Sequence, residues 1–177
     1  MAKAKRWIPT YRAKSIYDIP VSFYKENNIK IVLSDLDNTL DAFNVKEPSQ
    51  KTFDLVKELN EAGITIMIAS NNTSKRVHNY ADHLGIRAVC RLHKPSSKYL
   101  KRFIENEKFD SSEVVLVGDQ VLTDLYAGNG AGIRTVLTEP ISPLDPPWTK
   151  VNRVLERTRR KKIYKMPYTV ISGRKFQ

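Results

Sequence analysis

Apolar runs and polar breaks alternate along the chain, and their periods separate strands from helices. Ile29-Lys30-Ile31-Val32-Leu33 is a β-branched run of strand type. After Pro48-Ser49 the period lengthens: Phe53, Leu55, Val56 and Leu59 recur at helical spacing, and Gly63 ends the helix. Ile64 to Ala69 is a second buried strand that stops at Ser70-Asn71-Asn72. Ser74 can cap a helix with Val77, Tyr80, Ala81 and Leu84 on one face, closed by Gly85. Ile86 to Cys90 is a short strand candidate, followed by Arg91-Leu92-His93-Lys94-Pro95. Ser96 begins a helix with Tyr99, Leu100, Phe103 and Ile104 inward. Glu113 to Val117 is another apolar strand, terminated by Gly118-Asp119. Leu122, Leu125 and Tyr126 mark a short helix before Gly128, Gly130 and Gly132, and Ile133 to Leu137 is the last strand.

Strands alternating with helical patterns predict an α/β fold: a three-layer, doubly wound parallel sheet with helices on both faces. Right-handed crossovers put every strand-end loop on one edge of that sheet. The expected organisation is a basic, aromatic N-terminal arm over 1–28, a catalytic body over 29–138, and a connection and tail over 139–177. The arm carries Trp7, Tyr11, Tyr17, Phe23 and Tyr24 and is expected to pack on the body. Pro140, Pro143, Pro146 and Pro147 make the connection semi-rigid. A final helix, about Lys150 to Tyr164, has Val151, Val154 and Leu155 as a narrow apolar stripe. Arg153, Arg157, Arg160 and Lys161 occupy its other face, so it can dock on the body or lie on an anionic surface.

Composition adds the charge. The net charge is +11, with +5 in residues 1–34, +9 in 150–177 and −3 between them. The basicity thus belongs to the ends, which favour an anionic partner such as lipid headgroups or nucleic acid. A single cysteine, Cys90, excludes an intrachain disulfide and suits a reducing compartment. No apolar segment reaches the length of a membrane span, and the N-terminus does not read as a secretory signal.

The candidate chemistry lies where the apolar runs stop. Asp35 and Asp37 follow the first, Ser70 and Asn71 the second, Lys94 the third, and Asp119 and Asp124 the fourth. If the first strand continues to Asp37, both acids project from one side of its end. In open parallel sheets that edge is where ligands bind. Singly, these residues also read as turns, helix caps or solvated charges. As a set, they supply what phosphoryl transfer needs. A carboxylate can attack phosphorus, and a second acid can protonate the leaving oxygen. Polar groups and an ammonium can hold the equatorial oxygens, and a divalent cation on carboxylates can offset the charge.

Asp35-Leu36-Asp37-Asn38-Thr39-Leu40 resembles the DxDxT motif of the haloacid dehalogenase-like (HAD) phosphohydrolase superfamily. Ser70, Lys94 with Pro95, and Gly118-Asp119-Gln120-Val121-Leu122-Thr123-Asp124 resemble its second, third and GDx4D motifs, in order. The resemblance implies Asp35 as nucleophile and metal ligand, and Asp37 as general acid/base with its carbonyl on the metal. It implies Ser70 and Lys94 as phosphate ligands, Asp119 as a Mg2+ ligand, Asp124 in support of the metal or Lys94, and Thr39 shaping the loop. Asn71, beside Ser70, is a further candidate phosphate ligand.

HAD enzymes acting on small molecules usually carry a cap domain, and neither gap between the first three motifs has room for one. A capless site suits phosphate displayed on something large. The motifs are similar to subfamily IIIA and, within it, to the phosphatidylglycerophosphate phosphatase-like branch, as are Pro9 and Ile16-Tyr17-Asp18-Ile19. The resemblance thus implies a Mg2+-dependent phosphatase acting on phosphatidylglycerophosphate, cytoplasmic and peripheral on the inner face of a membrane. Two other readings stay open: a HAD phosphatase acting on a nucleic-acid end, a phosphoprotein or a small ester, and a non-enzymatic basic protein that binds RNA or the ribosome.

Overall fold

In the computed structural model the apolar runs form strands β1 (Tyr11–Arg12), β2 (Ile31–Ser34), β3 (Thr65–Ala69), β4 (Arg87–Val89), β5 (Val114–Gly118) and β6 (Arg134–Leu137). They make one sheet, order β1-β6-β5-β2-β3-β4, with every pair parallel. Helices α1 (Val21–Glu26), α2 (Gln50–Glu61), α3 (Lys75–Leu84), α4 (Lys98–Asn106), α5 (Tyr126–Ala131) and α6 (Pro147–Tyr164) accompany them. The structure describes residues 6–73, 75–145 and 147–166. The expected Ser74 cap and the outermost parts of both basic ends therefore lie outside the described residues.

Strand alternation builds two cores. Val32, Ile66, Ile68, Val115 and Val117 point to one face, where they meet Leu55, Val56 and Leu59 of α2 and Val77, Tyr80 and Ala81 of α3. Leu33, Met67, Val114 and Leu116 point to the other, against Leu100 and Ile104 of α4 and Ala127 of α5. Burial on both faces is why these strands read as unbroken apolar runs. The β2–β3 crossover contains α2 and the β3–β4 crossover α3, with no inserted cap domain among the described residues.

The N-terminal segment is woven into this body more deeply than an arm. Tyr11 and Arg12 pair with Val136 and Leu137 to add the edge strand β1. Ala13, Ile16, Ile19, Phe23 and Tyr24 are buried in the first core. A two-residue strand containing arginine has no periodicity to betray it in the sequence.

Two details depart from the sequence-based expectation. Strand β2 ends at Ser34, and Asn38 adopts a left-handed backbone (φ 61°) in a turn where the Asn38 N–H donates to the carbonyl of Asp41. The alternation that would align Asp35 with Asp37 therefore stops short, and their side chains take different partners. Helix α6 is also turned differently from an ordinary amphipathic helix. Val151, Val154 and Leu155 face solvent, whereas Thr149, Glu156 and Ile163 are buried. Ile163 closes a third small core with Val121, Leu125 and Leu137.

Candidate active site

Adjacent strands end level with one another: Ser34 lies beside Ile68 and Val117. Asp35 continues the ladder by one bond, its N–H donating to Val117 O at 2.9 Å. Asp35, Ser70, Lys94 and Asp119 thereby meet at the carboxyl edge of the sheet, all buried. Asp124 joins them from a single π-helical turn, Val121–Leu125. Its close approach depends on Gly118, because a Cβ there would stand 2.3 Å from Asp124 Cγ.

Lys94 organises the cluster. Its ammonium donates to Asp35 Oδ1 at 2.7 Å, Asp124 Oδ1 at 2.7 Å and the carbonyl of Ala69 at 2.8 Å. Those three bonds use all of its donors. Burial opposes its charge, but Asp124 and Asp35 outweigh burial and hold its pKa above the ordinary lysine value. Asn71 fixes the lysine from behind. Its Oδ1 accepts from Lys94 N at 2.6 Å and its Nδ2 donates to Lys94 O at 2.8 Å. The Asn71 side chain, expected on phosphate, is thus committed to positioning Lys94. Ser70 Oγ accepts from Asn72 N at 3.0 Å, which leaves its own hydroxyl proton to donate.

The acids divide into two groups. Oxygen atoms of Asp35, Asp119 and Asp124 lie within 4.8 Å of one another. Burial pushes the Asp35 carboxyl well above the carboxylate range; Lys94 opposes the rise, while Asp124, Asp119 and Asp37 add to it. Burial also pushes Asp119 up to about 6, against the pull of Arg153. Three carboxyl groups thus converge around the Lys94 ammonium, with Arg153 on Asp119. An all-oxygen donor set of this kind fits a hard divalent cation. The Asp37 side chain is outside this group. It pairs with Arg76, which also donates to Val45 O at 2.7 Å.

Arg153 was not legible as a site residue. Its guanidinium reaches Asp119 Oδ2, donates to the Asp119 carbonyl at 2.9 Å, and bonds Asp145 Oδ2 through Nε at 3.1 Å. Arg160 also donates to the Asp119 carbonyl. Between them sits buried Glu156, whose Oε1 accepts from Leu122 N at 2.7 Å. Burial raises its pKa, opposed by the Leu122 N–H and by Arg160 and Arg153. One signal existed: Glu156, the lone acid in residues 150–177, shares a helix face with Arg153 and Arg160. Arg76 had no comparable signal, since it lies on an otherwise ordinary exposed face of α3. Thr39 Oγ1 approaches Asp119 Oδ1 at 3.4 Å, and Asn38 Nδ2 ties the first loop to Asp145 at 2.8 Å.

A cavity of about 670 Å³ opens over the cluster. Asp35, Asp37, Ser70 and Lys94 form its floor residues, and Thr149 and Asn152 of α6 contribute a wall. The arrangement offers a buried carboxyl group, a separate acid beside an arginine, an ammonium and a hydroxyl donor in one concave site.

Comparison with known proteins gives the family of the chain and the kinship of its fold. The family described as haloacid dehalogenase-like hydrolase matches residues 9–138. The chain is 34% identical to the probable phosphatase YqeG of Bacillus subtilis over 153 residues, 86% of this chain and 89% of that protein. It is 27% identical to phosphatidylglycerophosphate phosphatase 1 of Arabidopsis thaliana over 182 residues, covering 93% of this chain but spanning only 52% of that one. Among solved structures, the 3-deoxy-D-manno-octulosonate 8-phosphate phosphatase of Moraxella catarrhalis, in complex with magnesium and phosphate ions, superposes with a TM-score of 0.50. That match covers 77% of this chain and 91% of the other at 14% identity, which speaks to the fold alone.

Proposed function

The chain belongs to the haloacid dehalogenase-like hydrolases, and from that premise we propose that it is a magnesium-dependent phosphatase whose substrate is phosphatidylglycerophosphate. The observation that carries the reading is the Lys94 ammonium held between Asp35 and Asp124, with Asp119 beside them, where the strands end. Asp35 is the nucleophile. Its oxygen bonds to phosphorus as the P–O ester bond breaks, leaving an aspartyl-phosphate. Asp37 gives its proton to the departing alcohol oxygen, then takes one from the water that attacks phosphorus and frees Asp35. Arg76 holds the Asp37 carboxylate between these transfers. Ser70 donates its hydroxyl to the phosphoryl oxygens, and Lys94 joins it by turning toward them the N–H that meets Asp35 in the free enzyme. Asp35 and Asp119, with the carbonyl of Asp37, would hold magnesium, and Asp124 keeps Lys94 in place. Magnesium, when bound, offsets the negative charge that gathers on the phosphoryl group.

The substrate reading draws support from the relationship to the Arabidopsis enzyme and from the absence of a cap over the cavity among the described residues. The net charge of +11 fits work at an anionic surface, here the cytoplasmic face of a membrane. No helix among the described residues is long and apolar enough to cross a bilayer, so attachment is peripheral in this reading. The test is a hydrolysis panel in magnesium with phosphatidylglycerophosphate, phosphopeptides, nucleotides, phosphorylated nucleic-acid ends and an aryl phosphate. Turnover should be highest on the lipid and lost in Asp35→Asn. Equal or better turnover on another class would overturn the lipid assignment. Retained activity in Asp35→Asn would overturn the mechanism.

A further inference from the structure

We infer that the outward face of α6 is a docking surface for an anionic bilayer, placed so that the helix walling the cavity also seats the protein on the membrane. The inference deepens the lipid reading above and rests on it for what enters the cavity, but the docking itself rests on other observations. Helix α6 packs with its charged side inward. Arg153 and Arg160 reach Asp119, Glu156 is buried, and Thr149 and Asn152 face the cavity. The outward side keeps the large apolar residues: Val151 is 61% exposed, Val154 74% and Leu155 56%. Spacing i, i+3, i+4 makes these three one contiguous stripe. Ile141 and Leu144, in the segment leading into the helix, are exposed as well. A cluster of this kind marks an interaction surface, whereas single exposed aliphatics do not.

Charge identifies the occupant. Lys150, Arg157, Lys161 and Lys162 are exposed, and the helix's one acid points inward. Helical spacing from Val154 puts Lys150, Arg157 and Lys161 along the border of the stripe, not on the face opposite it as the sequence-based expectation had Arg157 and Lys161. Aliphatic side chains interleaved with cations and free of acids suit the headgroup boundary of a bilayer containing anionic lipid. A second copy of the same face would bring like charges together around the apolar stripe. Asn152 lies next to Leu155 around the helix and lines the cavity. The cavity that Asn152 lines also holds Asp35 and Lys94.

The test is co-sedimentation with vesicles of phosphatidylcholine alone or with phosphatidylglycerol, using wild type, Val154→Asp/Leu155→Asp and Arg157→Glu/Lys161→Glu. None of these side chains touches the candidate active site. Wild type should bind the anionic vesicles at least tenfold better than the neutral ones. Both variants should lose at least tenfold while keeping their circular dichroism and aryl phosphate hydrolysis. Wild type remaining in the supernatant, or variants binding undiminished, would overturn the inference. So would wild-type self-association relieved by Val154→Asp/Leu155→Asp, which would give the face to a second copy. Detergent-dispersed phosphatidylglycerophosphate separates the two claims. Hydrolysis there without vesicle binding overturns the docking and keeps the substrate reading, whereas vesicle binding without hydrolysis supports the docking and removes the substrate.

Discussion

Replacing Lys94 with methionine keeps the length and volume of the side chain and deletes its charge. The ammonium is buried, and its three bonds go to Asp35, Asp124 and the Ala69 carbonyl. Removing one partner of a buried ion pair leaves the other charge uncompensated and costs about 3–5 kcal/mol. Against a total stability of about 5–15 kcal/mol for an ordinary domain, that is a large share. The loss also has a pH signature. Lys94 is what opposes the rise in the Asp35 pKa, so without it the folded carboxyl binds its proton more tightly still. A folded pKa raised above the unfolded one favours folding at low pH and penalises it as pH rises, because the unfolded carboxyl releases its proton first. Urea unfolding of both proteins in EDTA, at pH 7.5 and pH 5, reads the difference. The gap should be about 3–5 kcal/mol at pH 7.5 and smaller at pH 5. The double variant Lys94→Met/Asp35→Asn should recover about 1–3 kcal/mol over Lys94→Met, since it removes one orphaned charge. A gap under about 1 kcal/mol at pH 7.5, or one indifferent to pH, would refute the account of the cluster.

Other perturbations test the neighbouring contacts. Gly118→Ala places a methyl 2.3 Å from Asp124 Cγ and 2.6 Å from its Cβ; it should cost about 1–3 kcal/mol and most of the phosphatase activity, and a fully active variant would show that Asp124 tolerates displacement. Arg153→Ala frees Asp119 from a partly exposed guanidinium, so metal-free stability should fall by about 2 kcal/mol, between surface and buried values. Magnesium should then raise the melting temperature more in Arg153→Ala than in wild type, because guanidinium and cation share the Asp119 carboxylate; an equal or smaller rise counts against that competition. Burial, opposed by Thr52 and aided by Asp41, pushes the Tyr17 phenol up to about 12. The unfolded phenol ionises near its ordinary value, so stability should fall between about pH 10 and 12, by about 1.4 kcal/mol per pH unit from this group. Tyr17→Phe should flatten that part of the alkaline unfolding curve, and an unchanged slope would argue against it.

The order of elements and the four reactive strand ends could be read from the chain because each depends on local pattern. A parallel strand buried on both faces must be an apolar run, and it must end where polar residues begin. The crossover rule then sends Asp35, Ser70, Lys94 and Asp119 to one edge without reference to any particular contact. The direction of each side chain past that edge has no such local determinant. Strand β2 stops at Ser34, so strand alternation does not align Asp35 with Asp37, and Asp37 turns to Arg76. Asn71 has the chemistry of a phosphate ligand, yet the loop before Pro95 passes close enough to take both ends of its amide.

Helix α6 marks the boundary most sharply. Its periodicity states that Val151, Val154 and Leu155 share a face, and it contains nothing about which face will turn inward. That choice came from partners more than 30 residues away in the chain: Asp119 draws in Arg153, and Leu122 meets Glu156. Hydrophobic pattern is a property of one segment, so a sequence displays it directly. Pairing between buried charges is a property of two segments and of the space between them, and it exists only once the sheet has brought them together.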